Sequence, residues 1–291
     1  MSYYKILGFQ KEPFSTSPDP DFFYLSREHE AALTNILIEL RLKRGLSVIL
    51  GDIGTGKTTL SRKLIQELKS REDCFFHMIL DPSFEDPTSF LIAISKNFGL
   101  EVPAEGNGRP PVAVLRESLE RLLFQRGVVE NKTVILIVDE AQKLNETSLE
   151  ILRVLLNYET NEFKLLQLVL LGQLELQPKI KEIPNFFDRI SYRGKLEPLD
   201  YQEMREMILF RMRQAGYQAS MDLFLEEALR LIHERTVGYP RQVTMLCHRA
   251  LKEMLLKNKF VVDAPVVAGL IEDEAKSGWQ RTNPSLQKSS F

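Results

Sequence analysis

Short apolar runs alternate with segments of helical periodicity through the first two thirds of the chain. An apolar run without polar alternation is typical of a strand buried on both faces, and apolar residues spaced three and four apart indicate an amphipathic helix. The predicted strands are 46–50, 74–80, 133–138, 165–171 and 192–196, and the predicted helices are 26–44, 57–68, 88–98, 112–124 and 146–156. Because strands and helices alternate, we predict an α/β fold, a three-layer sandwich with a parallel sheet.

The strand pattern stops at Pro198, and helical patterns continue beyond it. Breaks at Gly216, at Gly238 with Pro240, and at Asn258 divide this stretch into separate helices. The second part of the chain is therefore predicted to be a small all-helical domain attached to the α/β one.

The first 24 residues are rich in proline and aromatic side chains, which suits an ordered irregular segment packed on a core. The last 15 residues are rich in Ser, Gln and Asn, which is typical of a frayed terminus. The predicted regions are 1–45, an N-terminal segment and helix packed on the core; 46–197, the α/β core; 198–275, the helical domain; and 276–291, a disordered tail.

The composition excludes several classes of protein. With 44% hydrophobic and 27% charged residues the chain is typical of a globular protein, and a net charge of −2 argues against a strongly basic nucleic-acid binder. The chain carries no apolar run of membrane-spanning length and no signal-peptide pattern at its start. Cys74 and Cys247 lie in apolar patterns, and the four histidines show no metal-ligand spacing with them. We therefore expect a cytoplasmic protein with reduced, buried thiols.

Residues 51–58 match the eight-residue phosphate-loop pattern and lie between a predicted strand and a predicted helix. Glycines there let backbone N–H groups turn inward around phosphates, at a helix N-terminus whose dipole favours anions. Lys57 would contact the β- and γ-phosphates, and the Thr58 hydroxyl would bind Mg²⁺. The expected nucleotide-binding residues are Gly51, Asp52, Ile53, Gly54, Thr55, Gly56, Lys57, Thr58 and Thr59. These positions predict a P-loop ATPase that uses ATP and Mg²⁺.

Two carboxylates follow the most apolar of the predicted strands. Asp139 and Glu140 come directly after residues 133–138, and in a parallel sheet of this type that strand end lies beside the phosphate loop. Asp139 would hold Mg²⁺, mostly through water, and Glu140 would orient and deprotonate the attacking water. Alone, an Asp–Glu pair could be a solvated turn after a strand. Its combination with a phosphate loop predicts hydrolysis of the nucleotide.

Further motifs resemble those of AAA+ ATPases. A predicted strand runs into Gly172 and the polar Gln173, and the helical region contains the sequence Gly-Tyr-Pro-Arg at 238–241. The N-terminal segment makes the resemblance more specific, to the general secretion pathway protein A (ExeA-type) family. The matching positions are Tyr4, Gly8-Phe9, Pro13-Phe14, Ser17-Pro18-Asp19-Pro20 and Tyr24-Leu25-Ser26, and the resemblance continues to about Ala250.

This resemblance implies a P-loop AAA+ fold with a helical lid and a site completed between subunits of a homo-oligomer, a ring or a filament. Gln173 would be the first sensor, between the γ-phosphate and the water, and Arg241 the second sensor, reaching the nucleotide from the lid. Arg189, or alternatively Arg193, would be the arginine finger that enters a neighbouring subunit's site. On the residues alone, Gln173 could cap a helix, Arg241 could face solvent, and Arg189 could form an ion pair.

The resemblance also implies an adenine pocket built by the N-terminal segment. Tyr24 and Leu25 are the candidates, because the segment precedes the first helix and is expected near the phosphate loop. Packing in the apolar core is an equally open interpretation of these two side chains.

Three biological roles remain open. The resemblance favours a motor or switch that assists assembly of a secretion or type IV pilus-like envelope machine, with protein partners from that machine. Longer family members continue into a membrane span and a periplasmic peptidoglycan-binding region. Because this sequence ends at Phe291 without either, we expect no peptidoglycan binding.

A second role is a DNA-associated transposition helper of the phage Mu B type, since related short ATPases act in this way. Such a protein needs basic residues facing DNA. The candidates are Arg41, Lys43, Arg44, Arg249, Lys252, Lys257 and Lys259, although basic residues interleaved with acids usually form a solvated face. A third role, a nucleotide-gated interaction protein that hydrolyses slowly or not at all, is disfavoured by Glu140.

Overall fold

The computed structural model describes residues 3–17, 19–102, 110–218 and 221–277. Contacts between residues divide the chain into two compact units. One unit is Pro18–Glu197, called here the sheet unit, and the other combines Met1–Ser17 with Pro198–Phe291 and is called the helical unit. The predicted disordered tail lies outside the described residues from position 278 onward.

A parallel sheet forms the centre of the sheet unit. Its strands, within the described residues, are β1 (Leu46–Gly51), β2 (Cys74–Ile79), β3 (Thr133–Val138), β4 (Leu166–Gly172) and β5 (Ile190–Leu196). The order across the sheet is β2-β3-β4-β1-β5, and every neighbouring pair is parallel. β3 and β4 are buried along their whole length, whereas the edge strand β5 alternates half-buried and exposed residues. The predicted fold class is confirmed.

Helices connect the strands and continue after the sheet ends. In chain order they are α1 (Tyr3–Ile6), α2 (Arg27–Arg41), α3 (Lys57–Lys69), α4 (Pro87–Asn97), α5 (Val112–Phe124), α6 (Glu146–Leu155), α7 (Leu176–Lys181), α8 (Pro184–Phe187), α9 (Tyr201–Gln214), α10 (Glu226–Thr236), α11 (Pro240–Leu256) and α12 (Ala264–Lys276). Ser26, Asp86 and Asn145 cap α2, α4 and α6, each accepting the backbone N–H three residues further on. Such side chains satisfy N–H groups that the first helical turn leaves unpaired.

Side chains of β3 alternate between two apolar cores. Val134, Leu136 and Val138 pack in a core with side chains of α4, α5 and α6. Ile135 and Ile137 pack in a second core with side chains of α2 and α3. Because successive strand residues point to opposite faces, both cores require an apolar residue at every position of this strand. The helices therefore form one layer on each side of the sheet.

The short helices α7 and α8 between β4 and β5 were not predicted. Each has too few turns to show a helical period, and each contains a proline in the first turns. α2 also ends three residues earlier than predicted, at Arg41, because Lys43 has a left-handed backbone with φ 51°. A helix cannot continue through that conformation.

The helical unit contains α1 and α9 to α12 among its described residues. Asp200 and Glu203 form a capping box at the start of α9. α10 ends at Thr236, where Val237 adopts a left-handed backbone and Gly238 follows with φ 76°. A Cβ atom at Gly238 would lie 1.9 Å from the carbonyl oxygen of Leu199. Only glycine allows the two backbones to approach this closely.

The first 17 residues group with the helical unit, which corrects our prediction that the whole N-terminal region packs on the α/β core. Phe14 is 1% exposed and meets Phe224 edge to face, with ring centroids 5.8 Å apart. The Arg211 guanidinium group donates to the carbonyl oxygen of Pro13 at 2.9 Å. The phenylalanines Phe9 and Phe14 of this segment are buried, and Phe14 completes the core of the helices.

Cys74 and Cys247 are free thiols, the first half-buried and the second buried. Across the ranges that the structure describes, no helix combines the length and the hydrophobicity needed to cross a membrane.

Candidate functional site

The turn between β1 and α3 has a backbone that glycine adopts readily at two positions. Gly54 has φ 91° and Gly56 has φ 101°. A Cβ atom at Gly51 would lie 2.7 Å from the Thr55 hydroxyl oxygen, and that hydroxyl donates to the Asp52 carbonyl at 2.9 Å. Gly56 caps α3 and has no side chain to occupy the first N–H groups of the helix. The turn therefore presents N–H donors and a helix N-terminus to an anion such as phosphate.

Lys57 is buried at the start of α3, with 6% of its surface exposed. Its Nζ donates to the carbonyl oxygens of Gly51 at 2.7 Å and Asp52 at 2.9 Å. Burial lowers the pKa of this ammonium group, while the charges of Glu140 and Asp139 act to raise it. A buried ammonium group gains strongly from an anionic partner, so this side chain is suited to hold phosphate oxygens.

Asp139 follows β3 and is 2% exposed. The Thr58 hydroxyl donates to its carboxylate, and the backbone N–H of Glu140 donates to it at 2.9 Å. Burial raises the pKa of Asp139, although these hydrogen bonds act to lower it. A hydroxyl and a carboxylate side by side are the hard oxygen groups that Mg²⁺ prefers. Thr58 and Asp139 therefore fit a Mg²⁺ ion, whose charge would favour the buried carboxylate.

Glu140 has a left-handed backbone, with φ 51° and ψ 34°. This conformation costs a non-glycine residue about 1–2 kcal/mol. The Gln142 amide donates to the Glu140 carboxylate at 2.8 Å, and the Gln142 side-chain oxygen accepts the backbone N–H of Gln173 at 3.0 Å. Gln142 therefore links the carboxylate after β3 to the backbone after β4. Strain that is held in place by surrounding bonds is common at functional sites.

Lys179 of α7 fixes the turn that follows the two carboxylates. Its Nζ donates to the carbonyl oxygens of Gln142 at 2.5 Å and Leu144 at 3.2 Å. Neither Gln142 nor Lys179 was among the residues that the sequence indicated. For Gln142 the signal was its position two residues after Glu140, whereas α7 itself was not predicted and Lys179 gave no signal.

Arg189 lies between α8 and the edge strand β5, and Arg193 lies within β5. The Nε of Arg189 donates to the carbonyl oxygen of Asn185 at 2.9 Å. The Arg193 guanidinium group lies 4.0 Å from the centroid of the Phe187 ring and donates to the carbonyl of that residue at 3.3 Å. Arg193 is exposed and Arg189 half-buried. Both candidates for the finger are therefore positioned by local contacts at one edge of the sheet unit.

The remaining predicted site residues have different surroundings. Tyr24 and Leu25 directly precede the N-cap of α2 and are half-buried, and Leu25 packs against the core of α2 and α3. Ile53, within the phosphate loop, is 52% exposed. Arg241 is an exposed residue in the first turn of α11, in the helical unit.

Comparison with known proteins identifies relatives of this site and fold. The model of the AAA domain family matches residues 40–180. General secretion pathway protein A of Aeromonas hydrophila is 35% identical to the chain over 251 residues, which is 86% of this chain. The match covers 44% of that relative, so the chain spans less than half of its length.

Several solved structures share the fold at low sequence identity. The ADPNP–ADP complexes of the Aeropyrum pernix ORC2 protein have a TM-score of 0.60 and 17% identity, covering 95% of this chain and 81% of that one. Cdc6p from Pyrobaculum aerophilum has a TM-score of 0.61 and 19% identity, covering 86% and 67% of the two chains. The RuvB Holliday junction branch migration motor of Thermotoga maritima has a TM-score of 0.56 and 16% identity, covering 87% and 73%.

Proposed function

Because the chain belongs to the AAA+ ATPases of the general secretion pathway protein A type, we propose that it hydrolyses Mg-ATP between subunits and uses this cycle to drive or switch assembly of a partner complex. One observation supports the proposed site most strongly. The Thr58 hydroxyl is hydrogen-bonded to the Asp139 carboxylate, and Glu140 is the next residue. The first turn of α3 thereby meets the strand end that carries both acids. This juxtaposition supports a common site for phosphate, metal and attacking water.

In the proposed site, Lys57 exchanges its carbonyl partners for phosphate oxygens and neutralises part of their charge. Thr58 and Asp139 would hold Mg²⁺, which would supply further neutralisation of the phosphate charge. Glu140 orients the attacking water and accepts its proton. The amide of Gln142 limits rotation of the Glu140 carboxylate, because the two are hydrogen-bonded. These roles supply the positioning and charge neutralisation that phosphoryl transfer requires of a protein.

Three further side chains complete the proposed site. Gln173 would sense the γ-phosphate, because its backbone is already bonded to Gln142 at the strand end beside the acids. Arg241 would contact the nucleotide from the helical unit. Arg189, with Arg193 as the alternative, would enter the site of the next subunit as a finger, since both lie at an edge of the sheet unit.

The proposed biological role is based on the similarity to general secretion pathway protein A. We propose that the chain serves a secretion or type IV pilus-like envelope machine from the cytoplasm, where ATP is supplied and where free thiols persist. The partners would be proteins of that machine together with further copies of the chain.

The DNA-binding alternative loses support from the contacts of its candidate residues. Among the described side chains, four of the seven basic candidates form ion pairs: Arg44 with Glu39 at 3.6 Å, Arg249 with Glu274 at 3.5 Å, Lys257 with Glu253 at 3.1 Å and Lys259 with Asp263 at 2.5 Å. Lys43 lies 4.3 Å from the centroid of the Phe163 ring. Neutralised side chains release fewer counterions from DNA, so they contribute less to binding. A salt-dependent association with duplex DNA in the presence of ATP would restore this alternative.

Hydrolysis between subunits is tested by mixing two inactive variants. Arg189→Ala lacks the finger and Lys57→Ala lacks the phosphate contact, so neither should hydrolyse ATP alone. A working interface needs Lys57 from one subunit and Arg189 from its neighbour. When the two variants are mixed in equal amounts and assemble at random, about a quarter of the interfaces have both residues intact. We expect a corresponding partial recovery of the ATPase rate.

The same experiment with Arg193→Ala in place of Arg189→Ala distinguishes the two arginines. Sedimentation confirms that each variant still assembles. No recovery with either arginine variant at any ratio, with assembly intact, would contradict a finger acting in trans. For the wild type, the rate per subunit should rise with protein concentration and then reach a plateau.

A further inference from the structure

His29 is a buried residue that none of the proposed catalytic roles uses. It lies in the first turn of α2 and is 1% exposed. Its Nε2 is 2.8 Å from the carbonyl oxygen of Thr55 in the phosphate loop, and its Nδ1 is 2.6 Å from the Ser26 hydroxyl. Its ring also meets Phe23 edge to face, with centroids 4.9 Å apart. One imidazole therefore connects the start of α2 to the middle of the phosphate loop.

The hydrogen-bond partners determine the tautomer of this ring. A carbonyl oxygen can only accept, so Nε2 carries the proton and donates to Thr55. In a ring protonated at Nε2 alone, Nδ1 is an acceptor, so the Ser26 hydroxyl donates to it while the Ser26 oxygen accepts the backbone N–H of His29 at 3.4 Å. Both ring nitrogens of a neutral imidazole are thus satisfied. The ring is held in one orientation by the N-cap of α2.

The bond to Thr55 also determines where the next N–H group points. The peptide between Thr55 and Gly56 is planar and trans, so its carbonyl and its N–H point in opposite directions. Because the carbonyl is bound toward His29, the Gly56 N–H is directed away from α2. At the N-terminus of a helix, backbone N–H groups are the groups that point at a bound phosphate.

The histidine also lies against the backbone of the loop. A Cβ atom at Gly56 would lie 2.8 Å from Nε2 of His29 and 3.4 Å from the Phe23 ring. With its positive φ of 101°, Gly56 is therefore constrained both by its own conformation and by the imidazole. A rotated peptide would lose the Thr55 hydrogen bond and leave a buried imidazole donor unpaired.

We infer that His29 is a positioning residue that holds the Thr55–Gly56 peptide with its N–H toward the bound phosphates. Through Ser26 and Phe23 it ties this peptide to the segment that carries Tyr24 and Leu25, the proposed adenine contacts. This role rests on the proposed nucleotide site, and it assigns the His29 imidazole to fixing the conformation of the phosphate loop. Loss of the imidazole donor should weaken phosphate binding without removing any group that touches the nucleotide.

Calorimetric binding of MgADP to the full chain tests this inference with two substitutions. His29→Gln places an amide N–H near the position of Nε2, whereas His29→Leu fills the same space without a donor. We expect His29→Leu to weaken MgADP binding about tenfold, because the Gly56 N–H would lose its hydrogen bond to a charged phosphate oxygen. His29→Gln should stay within about threefold of the wild type, because one neutral donor replaces another.

Two control variants separate positioning from simple destabilisation. Ile36→Val shortens another buried side chain of α2 and should lower the melting temperature while leaving MgADP affinity unchanged. Ser26→Ala removes the partner of Nδ1 together with the N-cap, and should weaken MgADP binding about threefold. Asp86→Ala removes the N-cap of α4 and should leave the affinity unchanged.

The outcomes distinguish this inference from the proposed function. If the wild type binds MgADP and His29→Leu binds it equally well, the positioning role is wrong while the nucleotide site stands. Equal losses in His29→Gln and His29→Leu would also overturn it, because the donor would not matter. If His29→Leu does not fold, an unchanged affinity in Ser26→Ala overturns the role instead. If the wild type itself binds no MgADP, both the inference and the nucleotide site are wrong.

Discussion

The sheet unit and the helical unit bury different kinds of side chain. Among the described residues, the sheet unit buries the charged groups of Lys57 and Asp139 and the imidazole of His29 near one end of the sheet. The polar residues buried in the described part of the helical unit are Thr236 and Thr244. Each threonine hydroxyl donates to the carbonyl oxygen four residues earlier, at 2.7 and 2.8 Å. The helical unit therefore satisfies its buried polar groups internally, whereas the sheet unit holds charges that a ligand would satisfy.

This difference indicates where stability and function diverge. A buried charge without a strong partner is unfavourable for folding, so its presence requires another reason. In the sheet unit that reason is the proposed binding of phosphate and Mg²⁺. Substitutions at its buried charges should affect ligand binding far more than folding, and substitutions in the core of the helical unit should do the reverse.

Lys57→Met has the largest expected effect on the sheet unit. Removing the ammonium group should weaken MgADP binding by about 100-fold or more, since hydrogen bonds from a charged donor contribute about 1.5–3 kcal/mol each. The free energy of unfolding without nucleotide should remain equal or rise, because burial disfavours the ammonium group, as its lowered pKa shows, and Met removes that charge. Calorimetry and urea denaturation measure the two quantities. A large loss of stability in the absence of nucleotide would show that Lys57 is buried for folding and not for ligand binding.

Leu251→Ala is the matching change in the helical unit. Leu251 is fully buried on α11, so its truncation should lower the free energy of unfolding by about 2–5 kcal/mol. MgADP affinity of the folded protein should change less than about twofold, because the deleted atoms make no ligand contact. A loss of affinity similar to that of Lys57→Met would show that the distinction between the units is wrong.

Val237→Gly has the smallest expected effect on stability. It allows a comparison of Val237 with Glu140, because both residues have a left-handed backbone. Val237 ends α10 with φ 50°, nearly the same angle as the 51° of Glu140. A glycine at this helix end should raise the free energy of unfolding by about 1 kcal/mol, since a β-branched residue is strained there. ATP turnover should be unchanged. Glu140→Gly relieves the same strain but should abolish turnover, which chemical denaturation and a phosphate-release assay would show.

The sequence predicted those strands and helices that show an uninterrupted apolar run or a clear helical period. The apolar run at 133–138 is β3 with the same ends, because both faces of a central strand need apolar residues. The helical period at 112–124 likewise matches α5. The phosphate-loop spacing correctly located a glycine-rich turn between β1 and α3.

Other features depend on contacts between distant residues. Nothing in the local sequence shows that His29 bonds to Thr55, 26 positions later, or that Lys179 anchors the turn at Gln142. The grouping of Phe14 with the helical unit likewise follows from packing across most of the chain. The finger and the sensors remain predictions, because their roles require a neighbouring subunit or a bound nucleotide.

ATP hydrolysis by Glu140 is tested most directly by identifying the nucleotide that Glu140→Gln retains. The substitution preserves the size of the side chain and its hydrogen-bonding reach but removes the carboxylate that accepts the proton of water. Wild type and variant are incubated with MgATP, passed over a desalting column, and the bound nucleotide is identified by chromatography. Lys57→Ala serves as the control that should retain no nucleotide.

We expect bound ATP in Glu140→Gln, bound ADP in the wild type, and a turnover rate reduced by about 100-fold or more in the variant. Equal turnover in Glu140→Gln and the wild type, with ADP bound to both, would contradict the proposed ATPase site.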